Sequence, residues 1–232
     1  MAPKTLHEKI ENHALTMGVL VAICMAAGGI IEFLPTFLVE SNIPTISSVK
    51  PYTPLEIEGR DIYVKEGCFN CHSQMVRTID KEVVRYGPKS EAGEFIYDRP
   101  FQFGSKRTGP DLHRVGGKYP DLWHYRHMMD PREISPGSVM PAYPWLAEKR
   151  VVVSRMEAKM KALKTLGTPY SDERIRNYAS EYKAQADDIV SGLSRDGVEL
   201  EYDKEMVALI AYLQRLGTDL KKSTETAAKG GE

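Results

Sequence analysis

The chain has 232 residues, of which 27% are charged and 42% hydrophobic, and its formal net charge is −1 at pH 7. This is an ordinary mixture for one or two globular domains. The near-zero net charge gives no overall basic field, so nucleic acid is not expected as a partner. Composition alone therefore indicates no function, and the evidence for one has to come from local sequence patterns.

An apolar segment near the amino terminus covers residues 14–39, and Glu32 is its only charged residue. A helix of about 20 apolar residues crosses a hydrocarbon core of ~30 Å, so the segment predicts one transmembrane anchor. A secretory signal peptide is the alternative, because Lys4 and Lys9 precede the segment and small residues occupy positions 26–29. The apolar part of a signal peptide is shorter, about 7–15 residues, which favours an uncleaved anchor.

A proline-rich linker is predicted over residues 40–54, and a second unit begins near Leu55. The segment before the two neighbouring cysteines of this unit is expected to be helical. Residues 86–145 are rich in Gly and Pro, which indicates mostly loop with short helices near 120–129. Such a segment lacks the apolar periodicity that would build a core of its own.

Residues 147–193 have two apolar stripes at helical spacing, separated by a break at residues 167–169, and predict a helical hairpin. The stripes are Val152, Met156, Met160 and Leu163, then Ile175, Tyr182, Ile189 and Leu193. A last helix is predicted over 202–217 with Gly217 as its carboxyl-terminal cap. The small, polar residues 218–232 are expected to be disordered.

Two of the three cysteines lie in "EGCFNCHSQ", residues 66–74. A Cys-x-x-Cys pair indicates a thiol redox pair, half of a zinc site or part of a haem attachment signal. A redox pair is expected in a βαβ context, which the surrounding pattern lacks. A structural zinc needs four ligands; since Cys24 lies in the predicted membrane segment, the candidates to complete such a site are His113, His124 and His127.

The histidine that follows the pair favours haem. In Cys-x-x-Cys-His the two thiols form thioethers with the vinyl groups of a haem, and the adjacent imidazole becomes an axial ligand of the iron. Cys68 and Cys71 are therefore predicted to attach one covalently bound haem c, with His72 as its proximal ligand. A large apolar cofactor would also give the loop-rich middle of the chain a core.

The sixth ligand of the iron has several candidates in the sequence. They are Met75, Met128, Met129, Met140, His113, His124 and His127. Met75 lies too close to His72 for one short helix to carry both to opposite faces of the haem. Met140 is favoured because the prolines of "SPGSVMPAYPWL" suit a rigid loop across the distal face, but the residues alone leave the other candidates open.

Four segments in chain order resemble a class I cytochrome c: "GRDIYVKEGCFNCHSQ", "RTGPDL", "VMPAY" and "ALIAYLQRLG". With the amino-terminal anchor and "RYGPKSEAGEFIYDRPFQFGSKRTGPDLHRVGGKYPDLWH", the chain resembles the membrane-anchored mono-haem subunit (subunit II) of cbb3-type cytochrome c oxidase over roughly residues 5–217. The resemblance implies an all-α fold, with a single N-terminal transmembrane helix and a class I cytochrome c-like domain at 55–217. The helical hairpin near 147–193 is then an insertion.

The same resemblance implies the site and its surroundings. Cys68 and Cys71 would carry the thioethers, His72 would be the proximal iron ligand and Met140 the distal one. Residues 1–13 would lie in the cytoplasm, the anchor in the bacterial inner membrane and the haem domain in the periplasm.

The implied partners are an integral catalytic subunit with b-type haems and copper, which reduces oxygen and pumps protons, and a di-haem cytochrome c subunit. This chain would relay electrons from c-type cytochrome donors to the catalytic subunit, with no oxygen-reduction site of its own. A membrane-tethered shuttle that works alone is the rival function. Arg107 and Arg114, which flank "GPDL", suit haem propionates or an ordinary surface.

Overall fold

The computed structural model of the chain describes residues 5–39 and 44–220. Within those ranges it contains eleven α-helices and no β-strand, and one isolated antiparallel bridge joins Arg150 to Lys204. The all-α fold class is therefore confirmed. The chain divides into two compact units, Met1–Pro44 and Thr45–Glu232.

The amino-terminal unit consists of two helices. Helix α1 spans Leu6–Glu11 and begins with a capping box between Thr5 and Glu8. Helix α2 spans Ala14–Leu38, and its portion Ala14–Thr36, with a mean hydropathy of 2.3, is the one candidate membrane span in the described part of the chain. At about 1.5 Å per residue, α2 is long enough for a hydrocarbon core, and it fits single-pass membrane anchoring.

Two helices from opposite ends of the second unit form its central contact. Helix α3 spans Pro54–Lys65 and helix α11 spans Glu205–Arg215. Gly59 of α3 lies so close to α11 that a Cβ atom there would overlap the carbonyl oxygen of Ala208. The rings of Tyr63 and Tyr212 pack beside this contact with centroids 5.5 Å apart. Close approach of the two backbones thus depends on a glycine.

Residues 66–150 are mostly loop, which includes the segment 86–145 that was predicted to be so. Their short helices are α4 at Asp80–Tyr86, α5 at Asp121–Met129, α6 at Pro131–Ile134 and α7 at Trp145–Glu148. Two 3-10 turns, at Cys68–Asn70 and Ala92–Phe95, add to them. The short helix predicted near 120–129 is confirmed as α5.

The predicted hairpin contains three helices: α8 at Met156–Thr165, α9 at Asp172–Arg176 and α10 at Tyr178–Arg195. Met156 and Met160 pack with Ile57 of α3 in a small cluster, whereas the apolar side of α10 joins the main core. The assignment of Val152 to the first stripe is wrong, because this residue precedes α8 and its side chain is 51% exposed. The insertion therefore packs against α3 and adds to the core.

The ordered chain continues past the predicted end of the last helix. Helix α11 ends at Arg215, two residues before Gly217, whose φ of 69° is left-handed. The Arg215 guanidinium binds the Asp219 carboxylate, with Nη2 and Oδ2 2.6 Å apart, so residues predicted as a disordered tail from 218 are ordered as far as 220. Residues 221–232 of that predicted tail, and residues 40–43 of the predicted linker, lie outside the described residues.

Replacing Gly59 with alanine tests the α3–α11 contact. We expect Gly59→Ala to destabilise the folded protein by about 3 kcal/mol, because the new methyl group meets backbone that cannot rotate away. Gly192→Ala is the matched control, since a Cβ there would meet no atom closer than 3.9 Å and alanine favours a helix interior by about 1 kcal/mol. Thermal unfolding followed by circular dichroism should separate the two variants; equal midpoints would contradict the close contact.

Candidate functional site

The two neighbouring cysteines lie on a tight turn that directly follows α3. Gly67, with φ at 72°, reverses the chain after the helix, and the turn Cys68–Asn70 begins there. The amides of Cys71 and His72 both donate to the carbonyl oxygen of Cys68, at 3.1 and 3.0 Å. Both thiols are free, that of Cys68 half-buried and that of Cys71 exposed. The turn therefore brings both cysteines and His72 together at the end of the central helix.

The His72 imidazole is held by the loop that contains "GPDL". Its Nδ1 lies 2.8 Å from the carbonyl oxygen of Pro110, so Nδ1 carries the proton and donates it. The lone pair of Nε2 is then free to coordinate a metal, which is the arrangement that metal-ligating histidines adopt. The hydrogen bond thus sets both the tautomer and the direction of the ring.

A glycine lets this loop cross the imidazole. A Cβ atom on Gly109 would overlap Cε1 of His72. The Gly109 amide also donates to the carbonyl oxygen of Cys71 at 2.9 Å, and the Leu112 amide donates to that of Ser73 at 2.8 Å. The loop is therefore bonded to both sides of His72, and only glycine fits at position 109.

Side chains extend this attachment beyond His72. Asp111 Oδ2 accepts from the Ser73 hydroxyl at 2.6 Å and from the Met75 amide at 2.8 Å. Arg107 donates from Nε to the Ser73 hydroxyl at 2.7 Å and forms an ion pair with Glu82. Arg107 therefore has protein partners, and the idea that it pairs with a haem propionate gains no support.

Arg114, the second arginine considered for a propionate, is also paired within the protein. It binds the carboxylate of Glu94, which His113 Nε2 approaches to 2.9 Å. Burial opposes ionisation of Glu94, but the hydrogen bonds from Arg114 and His113 outweigh it and lower the pKa of Glu94 to about 2. The contacts of Glu94 with Arg114 and His113 stabilise the chain that follows "GPDL". They also leave His113 paired with a carboxylate.

Met140 lies on a loop whose carboxyl-terminal side is attached to α5 through Tyr143 and to the residue before the cysteine turn through Trp145. The Tyr143 amide donates to the carbonyl oxygen of Met128 at 2.7 Å. The indole of Trp145 donates to the Glu66 carboxylate at 3.2 Å, and Glu66 immediately precedes Gly67. The half-buried Met140 packs against the main core. These contacts bring the Met140 loop to the segment that carries Cys68, Cys71 and His72.

The remaining candidates for the sixth ligand divide by location. His113 is paired with Glu94 and packs on Phe95, with ring centroids 4.6 Å apart. His124 and Met128 are buried in the interior, at 1% and 8% exposure. Burial, followed by the interaction with His72, lowers the pKa of His127, so the two rings lie near each other. His127 and the Met140 loop thus lie near the Cys-x-x-Cys-His motif. His113 instead forms a salt bridge with Glu94.

The alternatives to haem find little support in this geometry. Burial, followed by the charge of Glu66, raises the pKa of the Cys68 thiol to about 12, whereas redox exchange and zinc binding use the thiolate. In residues 5–39 and 44–220, no group of three or more His, Cys, Asp or Glu side chains is arranged to hold a metal ion. A haem fits the donor set better, because its iron needs only the free Nε2 of His72 on the proximal side.

A candidate membrane span followed by a helical domain with a Cys-x-x-Cys-His motif fits the class of haem proteins with a membrane anchor. The family model described as cytochrome c oxidase, mono-haem subunit/FixO matches residues 7–220. The chain belongs to this family, and it is a haem-containing subunit of a cbb3-type oxidase with partner subunits in that complex. No curated protein sequence matches the chain.

Gly109→Ala tests the contact between the loop and the imidazole. We expect the methyl group to push the loop away from His72 and break the Nδ1–Pro110 hydrogen bond, which would weaken any bond from His72 to the haem iron and change the absorption spectrum of the haem. Thr108→Ala, at the exposed neighbouring position, is the control. Optical spectra of the oxidised full-length protein provide the measurement. A G109A spectrum identical to that of T108A would contradict the role of the loop.

Proposed function

We propose that this chain is an electron-transfer subunit with one covalently bound haem c. Cys68 and Cys71 form the thioethers, His72 is the proximal iron ligand and Met140 is the distal ligand. The subunit relays electrons from c-type cytochrome donors to the catalytic subunit of the oxidase, which contains b-type haems and copper. It makes and breaks no substrate bond, and the reduction of oxygen takes place in the catalytic subunit.

The observation that carries this proposal is the hydrogen bond from His72 Nδ1 to the Pro110 carbonyl oxygen. It fixes the imidazole with Nε2 free, next to a turn that presents two unpaired thiols. A redox or zinc pair has no need of an oriented histidine immediately after the second cysteine. Attachment of a haem needs all three groups in this order.

Support for Met140 as the distal ligand comes from its loop. The Trp145–Glu66 and Tyr143–Met128 hydrogen bonds attach that loop to the cysteine turn and to α5. Proline residues on both sides of Met140 restrict the backbone further. Because the loop is already held in place, little further conformational entropy is lost when the sulfur of Met140 binds iron.

When bound, the haem would supply a one-electron couple between Fe(III) and Fe(II). The protein residues set how readily this occurs. His72 is held at a fixed angle, and Met140 contributes a sulfur ligand, which raises the reduction potential. A haem held against the α3–α11 core would be shielded from water, which would also raise its reduction potential.

The membrane arrangement is part of the proposal. Helix α2 anchors the subunit in the bacterial inner membrane, residues 1–13 lie in the cytoplasm and the haem domain lies in the periplasm, where c-type haem is attached. The integral catalytic subunit and a di-haem cytochrome c subunit are the proposed partners. The small residues Gly18, Ala22, Ala26 and Gly29 recur along α2 at a spacing of three or four, which lets another helix approach closely.

Met140→His tests the ligand assignment. We expect the variant to retain its haem through denaturing electrophoresis, because the thioethers are untouched, and to have a lower midpoint potential, because imidazole favours Fe(III) more than a thioether does. Met75→Leu is the control, since this half-buried methionine keeps its backbone contact to Asp111 and is not expected to ligate. Potentiometric titration of the full-length protein provides the measurement.

Two results would contradict the proposal. If the wild-type chain loses its haem on denaturing electrophoresis, Cys68 and Cys71 do not form thioethers. If M140H and M75L have the same potential as the wild type, Met140 is not a ligand.

A further inference from the structure

Three aromatic rings stack along one side of α5. The ring centroids of Tyr119 and Trp123 are 4.0 Å apart with planes inclined by 13°, and those of Trp123 and His127 are 4.7 Å apart with planes inclined by 15°. Trp123 and His127 are four residues apart, so they lie on the same face of the helix. The stack fixes the plane of the His127 imidazole without using either of its nitrogen atoms.

His127 is close to contacts of both segments proposed to ligate the iron. Its neighbour in sequence, Met128, accepts the 2.7 Å hydrogen bond from Tyr143 that fixes the Met140 loop to α5. His72 also lies near the ring: burial is the main cause that lowers the pKa of His127, and the interaction with His72 is the second. The ring therefore lies near His72 and near the point where the Met140 loop is attached to α5.

One nitrogen of this ring has an unmet hydrogen-bonding requirement. Nδ1 of His127 is buried and has no hydrogen-bond partner among the described residues 44–220. Buried polar atoms of native proteins nearly always have a partner, and a neutral imidazole carries one N–H donor. When the proton is on Nδ1, this nitrogen is a donor, and an acceptor that is in place only when haem is bound would satisfy it.

We propose that His127 is a positioning residue of the haem pocket, whose Nδ1–H donates a hydrogen bond to the sulfur of Met140 when that sulfur ligates the iron. This inference rests on the proposed function, because it takes Met140 as the distal ligand. The attachment of the Met140 loop beside His127 favours the sulfur over other acceptors that a haem would bring. Among the described residues, none forms a hydrogen bond with Nδ1 of His127.

The hydrogen bond has a defined effect on the metal. It withdraws electron density from the sulfur, so the sulfur stabilises Fe(III) less relative to Fe(II), and the potential of the haem rises. It also holds the thioether in one orientation. Loss of the donor should therefore lower the midpoint potential and change the sulfur-to-iron charge-transfer band of the oxidised protein.

A nearly isosteric pair of variants isolates the donor. In His127→Asn the amide nitrogen occupies the position of Nδ1 and retains a donor, whereas His127→Leu has a similar volume and no donor. Both variants lose the stacking contact with Trp123, so effects of the stack cancel in the comparison. We expect H127N to remain close to the wild-type potential and H127L to shift to lower potential with an altered charge-transfer band.

The full-length holoprotein is titrated potentiometrically, and its oxidised spectrum is recorded for each variant that retains covalent haem and cooperative thermal unfolding. Equal potentials for H127N and H127L would overturn the inference. A lower potential for H127L with an unchanged charge-transfer band would also overturn it, and would assign the bond to a haem propionate.

If a variant fails to fold, His127→Gln and His127→Met provide a second pair with and without a donor. A wild-type protein that lacks the charge-transfer band contradicts the Met140 ligand itself, so failure of the proposed function is distinguished from failure of this inference.

Discussion

The hydrogen bond between His72 Nδ1 and the Pro110 carbonyl oxygen is the contact on which the site depends. Without it the imidazole could rotate, and either ring nitrogen could carry the proton. Several features of the chain serve this one bond. Gly109 removes the side chain that would collide with the ring, and Asp111 attaches the loop to Ser73 and Met75.

The α3–α11 pair provides the rigid support for this bond. The cysteine turn begins where α3 ends, so the position of Cys68 is set by a helix whose Gly59 is in contact with the backbone of α11. Gln74, two residues after His72, donates to the hydroxyl of Tyr212 on α11 at 2.9 Å. The same helix pair therefore holds the chain on both sides of the motif. Packing of the inserted helices against α3 adds a second layer of support.

Much of this arrangement could be predicted from the sequence, because the relevant signals are local. The spacing of Cys68, Cys71 and His72 indicates haem attachment, and the apolar run before residue 39 indicates one membrane span, which the structure gives as a single continuous helix. The helical periodicity of α10 likewise predicts its buried side chains, whereas α11 is buried on all sides from Met206 to Leu213 and so goes beyond a one-sided stripe. Val152, predicted to belong to the stripe of α8, is exposed, since a residue just outside a helix does not follow its periodicity.

The contacts that complete the site could not be predicted, because they join residues far apart in the chain. Nothing near Trp145 indicates that its indole binds Glu66, and nothing near Arg114 indicates that Glu94 neutralises it. The unsatisfied Nδ1 of His127 becomes visible only when every neighbour of the ring is in place. A sequence lists such side chains, whereas tertiary structure decides their partners.

The haem and copper content of the assembled complex tests the central claim most directly. The complex would be isolated from native membranes in mild detergent through a tag on this chain, and its covalent and extractable haems and its copper would be quantified. The account predicts covalent c-type haem on this chain together with b-type haem and copper from the catalytic subunit. A stable isolated chain with c-type haem alone would contradict the role in the oxidase and would indicate a membrane-tethered electron shuttle.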